Sequence, residues 1–119
     1  MIARLDNTAN EVIAFRAEGK LHHEDYVDTI IPEINDALSH SEKISLMWEM
    51  KDFKGWDAHA AWDDIRLGFK INKNLKKIAV VGEFKWESWM SKCMSPFVKG
   101  EVRYFELKDE DDAMQWLHM

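Results

Sequence analysis

The sequence has one cysteine, two prolines and five glycines among 119 residues, and each scarcity removes a class of explanation. A lone Cys93 can form no intramolecular disulfide, and no CxxC or Cys/His pairing offers a structural zinc site, so a reducing compartment and a cytoplasmic location are expected. So little proline and glycine excludes a collagen-like or linker-rich chain. No apolar run is long enough for a bilayer span, and the opening MIARLDNTANEVIAF carries acids and amides where a signal peptide needs an apolar stretch. Basic charge is also short: 16 Lys+Arg against 22 Asp+Glu give a formal charge of −6, so nucleic acid and other polyanions are not expected partners. What remains, 46% hydrophobic and 32% charged, fits a single globular domain over residues 1–119 without repeat or linker.

Hydrophobic periodicity alternates along the chain. Residues 11–18 alternate as a strand and stop at Gly19, and a short Ile2–Leu5 run is placed to pair with them as a hairpin. From His22 the period lengthens: Tyr26, Val27, Ile30, Ile31, Ile34, Ala37 and Leu38 form the stripe of a helix, with Pro32 predicting a bend near Ile30–Ile31. Ile44–Met50 reads as an inner strand, Asp52–Asp57 as a loop, and Asp57 as the cap of a helix burying Ala58, Ala61, Trp62, Ile65 and Phe69. Ile78–Val81, closed by Gly82, has the continuous apolar character of a strand covered on both faces. Trp86, Trp89, Met90, Cys93 and Met94 predict a third helix, Val102–Phe105 a last strand, and Asp109–Asp112 the start of a final helix burying Ala113, Trp116 and Leu117. Such alternation predicts an α/β fold with a largely parallel sheet.

No motif for chemistry stands out. His22-His23-Glu24-Asp25 has metal-ligating side chains, but neighbours on a helix diverge by about 100° each, and acids there oppose the helix dipole, so no metal is expected. Asp109–Asp112 lacks the spacing and glycine of a calcium loop. Asp57 and His59, beside Asp63 and Asp64, sit two apart and do not face each other as an acid/base pair would. Cys93 falls on an apolar stripe, and no GxSxG, P-loop or GxGxxG occurs, so neither enzymatic activity nor a cofactor is expected. Lys70, Lys73, Lys76 and Lys77 suit the C-terminal end of a helix. Trp48, Trp62, Trp86, Trp89 and Trp116 fall on predicted inward faces, as core or as the lining of an apolar cavity, whereas Trp56, with Phe53 around Gly55, is either tucked over the core or offered to a partner.

Several strings, in order, carry a resemblance: Leu21-x-x-x-Asp25-Tyr26 with Pro32 downstream, Asp52-Phe53-Lys54-Gly55-Trp56-Asp57, Trp62-Asp63-Asp64, Ile78-Ala-Val-Val-Gly82 followed by Trp86, Gly100-Glu-Val-Arg-Tyr-Phe105, and Ala113-x-x-Trp116-Leu117. Together they resemble the bacterial SpoIIAA-like family of STAS/SEC14 domain proteins. The resemblance implies a superhelix of four main βα units, a mostly parallel sheet with a short N-terminal strand, and helices packed on that sheet. Anti-sigma factor antagonists of the STAS type are switched by a phosphorylatable serine at the start of the helix after the third strand. The corresponding Lys54–His59 stretch holds no Ser or Thr, so that switch does not carry over.

Two functions are therefore expected to compete. The first is a non-enzymatic STAS-like interaction or sensing module that meets a protein partner through Phe53, Gly55, Trp56, Asp57 and His59. The second is a SEC14-like carrier of a small apolar or amphipathic ligand among Trp48, Trp62, Trp86 and Trp89. Homodimerisation through an edge strand or exposed apolar residues is compatible with either.

Overall fold

A computed structural model describes residues 1–5, 11–82 and 101–119, apart from the side chains of Phe69 and Asn72. The helix expected around Trp86–Met94 lies outside the described residues. The described strands are β1 (Ile2–Leu5), β2 (Val12–Leu21), β3 (Ile44–Trp56), β4 (Leu75–Gly82) and β5 (Glu101–Glu106), and they form one sheet in that order. β1 lies antiparallel to β2 as the expected hairpin, and β2 to β5 run parallel. The helical segments are α1 (His23–Asp25), a π-helical turn (Tyr26–Ile30), α2 (Ile31–His40), α3 (Ala58–Ile71) and α4 (Glu110–His118).

The inner strands are apolar on both sides because both sheet faces are covered. On one face Ile13, Phe15, Leu46, Trp48, Ile78 and Val80 pack against Ile30, Ile34 and Ala37 before and within α2 and against Ala60, Leu67 and Ile71 of α3. On the other, Val12, Ala14, Met47, Ala79 and Val81 receive Ala113 and Leu117 of α4. Lys77, from the lysine group, lies over the Trp116 ring and donates to the Trp116 carbonyl at 2.9 Å, satisfying a carbonyl in the last turn of α4.

Two strands continue where the sequence predicts turns. β2 passes Gly19 to Leu21, and β3 passes Met50 to Trp56. The reason is a pair of bulges: Glu18 faces Lys51, Gly19 faces Phe53 and Lys20 faces Gly55, so β3 inserts Asp52 and Lys54 without partners. Asp52 (φ 51°) and Gly55 (φ 102°) have left-handed backbone, and such residues read as a loop although the ladder persists. The odd step from Met50 to Phe53, both in the same core layer, reflects the insertion.

The first helical stretch also departs from a regular period. Ile31 N–H bonds to the Tyr26 carbonyl, five residues back, and this widened turn ends just before Pro32, which has no N–H to give. The chain stays helical across the junction, as the expectation of one interrupted helix requires, but Val27 is turned out to 47% exposure while Tyr26, Ile30 and Ile34 are buried.

Candidate functional site

The carboxyl ends of β2 and β3 meet at the Leu21–Trp56 pair, and Asp57 N–H donates to the Leu21 carbonyl at 2.9 Å. α1 and α3 both start from this junction, so their first residues face one another although more than thirty positions separate them in sequence. In parallel α/β sheets this end, outside the strand carboxyl termini, is where ligands bind.

Asp57 caps α3 as expected: its Oδ1 accepts from Ala60 N–H at 2.7 Å. Its Oδ2 lies 2.7 Å from His22 Nδ1. The Ala60 amide, followed by the His22 ring, holds the Asp57 carboxyl below its ordinary range. One turn on, His23 Nδ1 lies 2.5 Å from Asp63 Oδ2, and the His23 ring stacks on His59 with centroids 3.8 Å apart and planes 6° from parallel. Beneath them the fully buried Tyr26 donates to Asp64 Oδ1 at 2.7 Å and accepts from Trp56 Nε1 at 2.8 Å. Burial, then the neighbouring Asp64 charge, drives the Tyr26 hydroxyl pKa upward. Burial likewise raises Asp64, against the opposing hydrogen bond from Tyr26.

This arrangement redistributes the predicted contact residues. Phe53, expected at the surface, is 3% exposed because the β3 bulge returns it to the core, where its ring meets the Trp56 edge at 5.0 Å. Trp56, expected among the contact residues, is half-buried with its indole N–H committed to Tyr26. Gly55 supplies the positive φ that turns β3 towards α3, and Asp57 and His59 remain at the rim. The buried stripe of α3 is Ala60, Asp63, Leu67 and Ile71, rotated away from the predicted Ala58–Trp62 face; Ala58 is exposed and Ala61 and Ile65 only half-buried. Apolar periodicity misjudges the helix because Asp63 takes an inward position to meet a histidine from another element.

The same rotation separates the proposed cavity residues. Trp48 is 5% exposed and stacks on Phe15 at 5.2 Å, whereas Trp62 is 58% exposed. They share no interior space, and Trp86 and Trp89 lie outside the described residues. Among the described residues, the side chains able to ligate a cation that fall together are His23, His59 and Asp63, with ligand atoms within 4.8 Å of one another. Spacing within the His22–Asp25 string could not reveal them, since the ligands come from two elements. The only local trace is the i, i+4 step from His59 to Asp63, which puts both on one helix face.

No helix among the described residues is long and apolar enough to cross a membrane. No curated protein matches the chain. The chain is similar to the crystal structure of an uncharacterized protein of the DUF3478 family with a SpoIIAA-like fold from Shewanella loihica PV-4: 34% identity, TM-score 0.79, covering 98% of this chain and 93% of that one. A family model described as SpoIIAA-like matches residues 12–118, and with the βα order and mostly parallel sheet above, this chain belongs to the SpoIIAA-like family.

Proposed function

We propose that the chain is a non-enzymatic STAS-like interaction or sensing module that meets a protein partner with the first two turns of α3, centred on Trp62 and His59. The observation that carries this is the 58% exposure of Trp62, a large aromatic on a capped helix at the binding end of the sheet. His59 lies three residues before it, so the two side chains are surface neighbours. An exposed tryptophan of this kind offers much contact area for little ordering entropy. The stretch that would carry a phosphorylatable hydroxyl in anti-sigma factor antagonists holds Asp57 and no Ser or Thr, so the surface is read without that modification. The carrier reading draws less from the geometry, since Trp48 fills core and Trp62 faces solvent.

The test compares proteins captured by the native chain, by Trp62→Ala and by Leu107→Ala, an exposed apolar control that follows edge strand β5, two strands from β3. Proteins retained by the native chain and the control should fall at least about tenfold with Trp62→Ala. Equal capture by all three would contradict the reading.

A further inference from the structure

We propose that His23, His59 and Asp63 form a binding site for a divalent transition-metal cation of the Zn2+ type. This names the signal that the α3 surface would sense, and only that role rests on the proposed function; the binding itself stands on the geometry.

Two helices contribute. His59 and Asp63 are four apart on α3 and present their side chains on one face, and His23 reaches the same point from α1. Asp63 is held at 9% side-chain exposure and aimed by its 2.5 Å contact with His23 Nδ1, so the carboxylate and one imidazole are already placed. Around a tetrahedral ion bonded at about 2.0–2.2 Å, ligand atoms stand about 3.3 Å apart. The His59 ligand atom, within 4.8 Å of the other two, can close by rotation of its exposed ring, while the His23–Asp63 pair, now 2.5 Å apart, must open to that spacing as the ion replaces the proton between them. The two rings, parallel at 3.8 Å, would tilt towards each other at their ligating edges.

Two imidazoles and one carboxylate favour Zn2+ and neighbouring transition ions over Mg2+ or Ca2+, which take oxygen ligands. Three protein ligands leave a fourth position on the open side of His59 for water or a partner's side chain. The surrounding groups are engaged elsewhere: Asp57 with His22 and Ala60, Asp64 with Tyr26. A bound ion would pin α1 to α3 beside Trp62, joining ion binding to the contact surface.

The test is calorimetric titration of the purified, metal-free chain with ZnCl2, and separately with MgCl2, with no partner present. Failure here therefore leaves the capture experiment untouched, and failure there leaves this one untouched. Expected is one equivalent of Zn2+ bound with a Kd on the order of micromolar or tighter, and no saturable binding of Mg2+. His59→Ala, at an exposed position that keeps the fold, should weaken Zn2+ at least about tenfold, as should Asp63→Asn. His40→Ala, on α2 with its Nδ1 near the Asp36 carbonyl, should bind as the native chain does. Absence of saturable one-to-one binding, or native affinity in His59→Ala, would overturn the assignment. So would loss of binding in His22→Ala with retention in His59→Ala, which would put the ion on the His22–Asp57 pair.

Discussion

Replacing Tyr26 by phenylalanine is expected to destabilise the fold by about 2–3 kcal/mol while leaving its shape intact. The ring is fully buried and stays so, so the whole effect comes from one oxygen. That oxygen gives a hydrogen bond to Asp64 and takes one from Trp56, tying the π-helical turn to α3 and to the end of β3. Its removal costs Trp56 Nε1 the acceptor it uses and Asp64 the donor that opposes its burial-raised pKa. The variant also has a pH signature. Asp64 has a raised folded pKa, so its contribution is fully present below its unfolded value near 3.8 and is lost as pH rises through the folded value. Without Tyr26 the folded pKa rises further, so the penalty is larger at pH 7 than at pH 4. Denaturant unfolding at the two values checks this, and a loss below about 0.5 kcal/mol at both would contradict it.

On the opposite sheet face, Glu110→Gln is expected to stabilise the protein above neutral pH and change little near pH 5. Glu49 projects from central β3 at 4% exposure, and its Oε1 accepts from Arg16 Nε at 2.6 Å. Glu110, in the first turn of α4, shares a hydrogen bond with Glu49, which requires a proton between the carboxyls. That bond, then burial and the Glu49 charge, pushes Glu110 up to about 7, against an attraction to Arg16 and with a further upward push from Asp111. For Glu49, burial favours the neutral acid, but the bonds from Glu110 and Arg16, aided by Lys51, outweigh it and lower the pKa. The two opposite shifts make the sign definite. Stability from the raised Glu110 is complete below about 4.5 and is lost as pH climbs through about 7; that from Glu49 is present above its unfolded value and lost on acidification. A glutamine donates to Glu49 at every pH. The variant should therefore gain on the native chain by about 1–2 kcal/mol between pH 5 and 8, once solvent screening of a partly exposed carboxyl is allowed for. Thermal unfolding across that range tests it, and a difference independent of pH would contradict it.

These two sites mark the boundary of what local pattern reveals. The Ile78–Val81 run, the alternation in β2 and β3 and the position of Pro32 are apolar or stereochemical signals carried by neighbouring residues, and the fold follows from them. The ends of β2 and β3 are less legible, because Gly19, Asp52 and Gly55 are turn-forming residues used here to bulge a ladder. The candidate site is least legible of all. Asp63 and Asp64 occupy inward positions that an apolar rule assigns to Trp62 and Ile65, and what makes acids tolerable there is His23 and Tyr26, some forty residues away. Glu49 in a central strand is accounted for only by Arg16 and Glu110, from two other elements. Polar pairs across elements leave no period in the sequence; the SpoIIAA-like strings supply the topology that brings such partners together.

The α3 contact surface is tested most directly by amide hydrogen exchange of the native chain alone and bound to the protein it captures. Slowed exchange is expected at 21–26 and 54–64, the ends of β2 and β3 with the starts of α1 and α3, and unchanged exchange in α4. Protection confined to α4 or to the β1 edge, with 54–64 unaffected, would place the working surface elsewhere and contradict it.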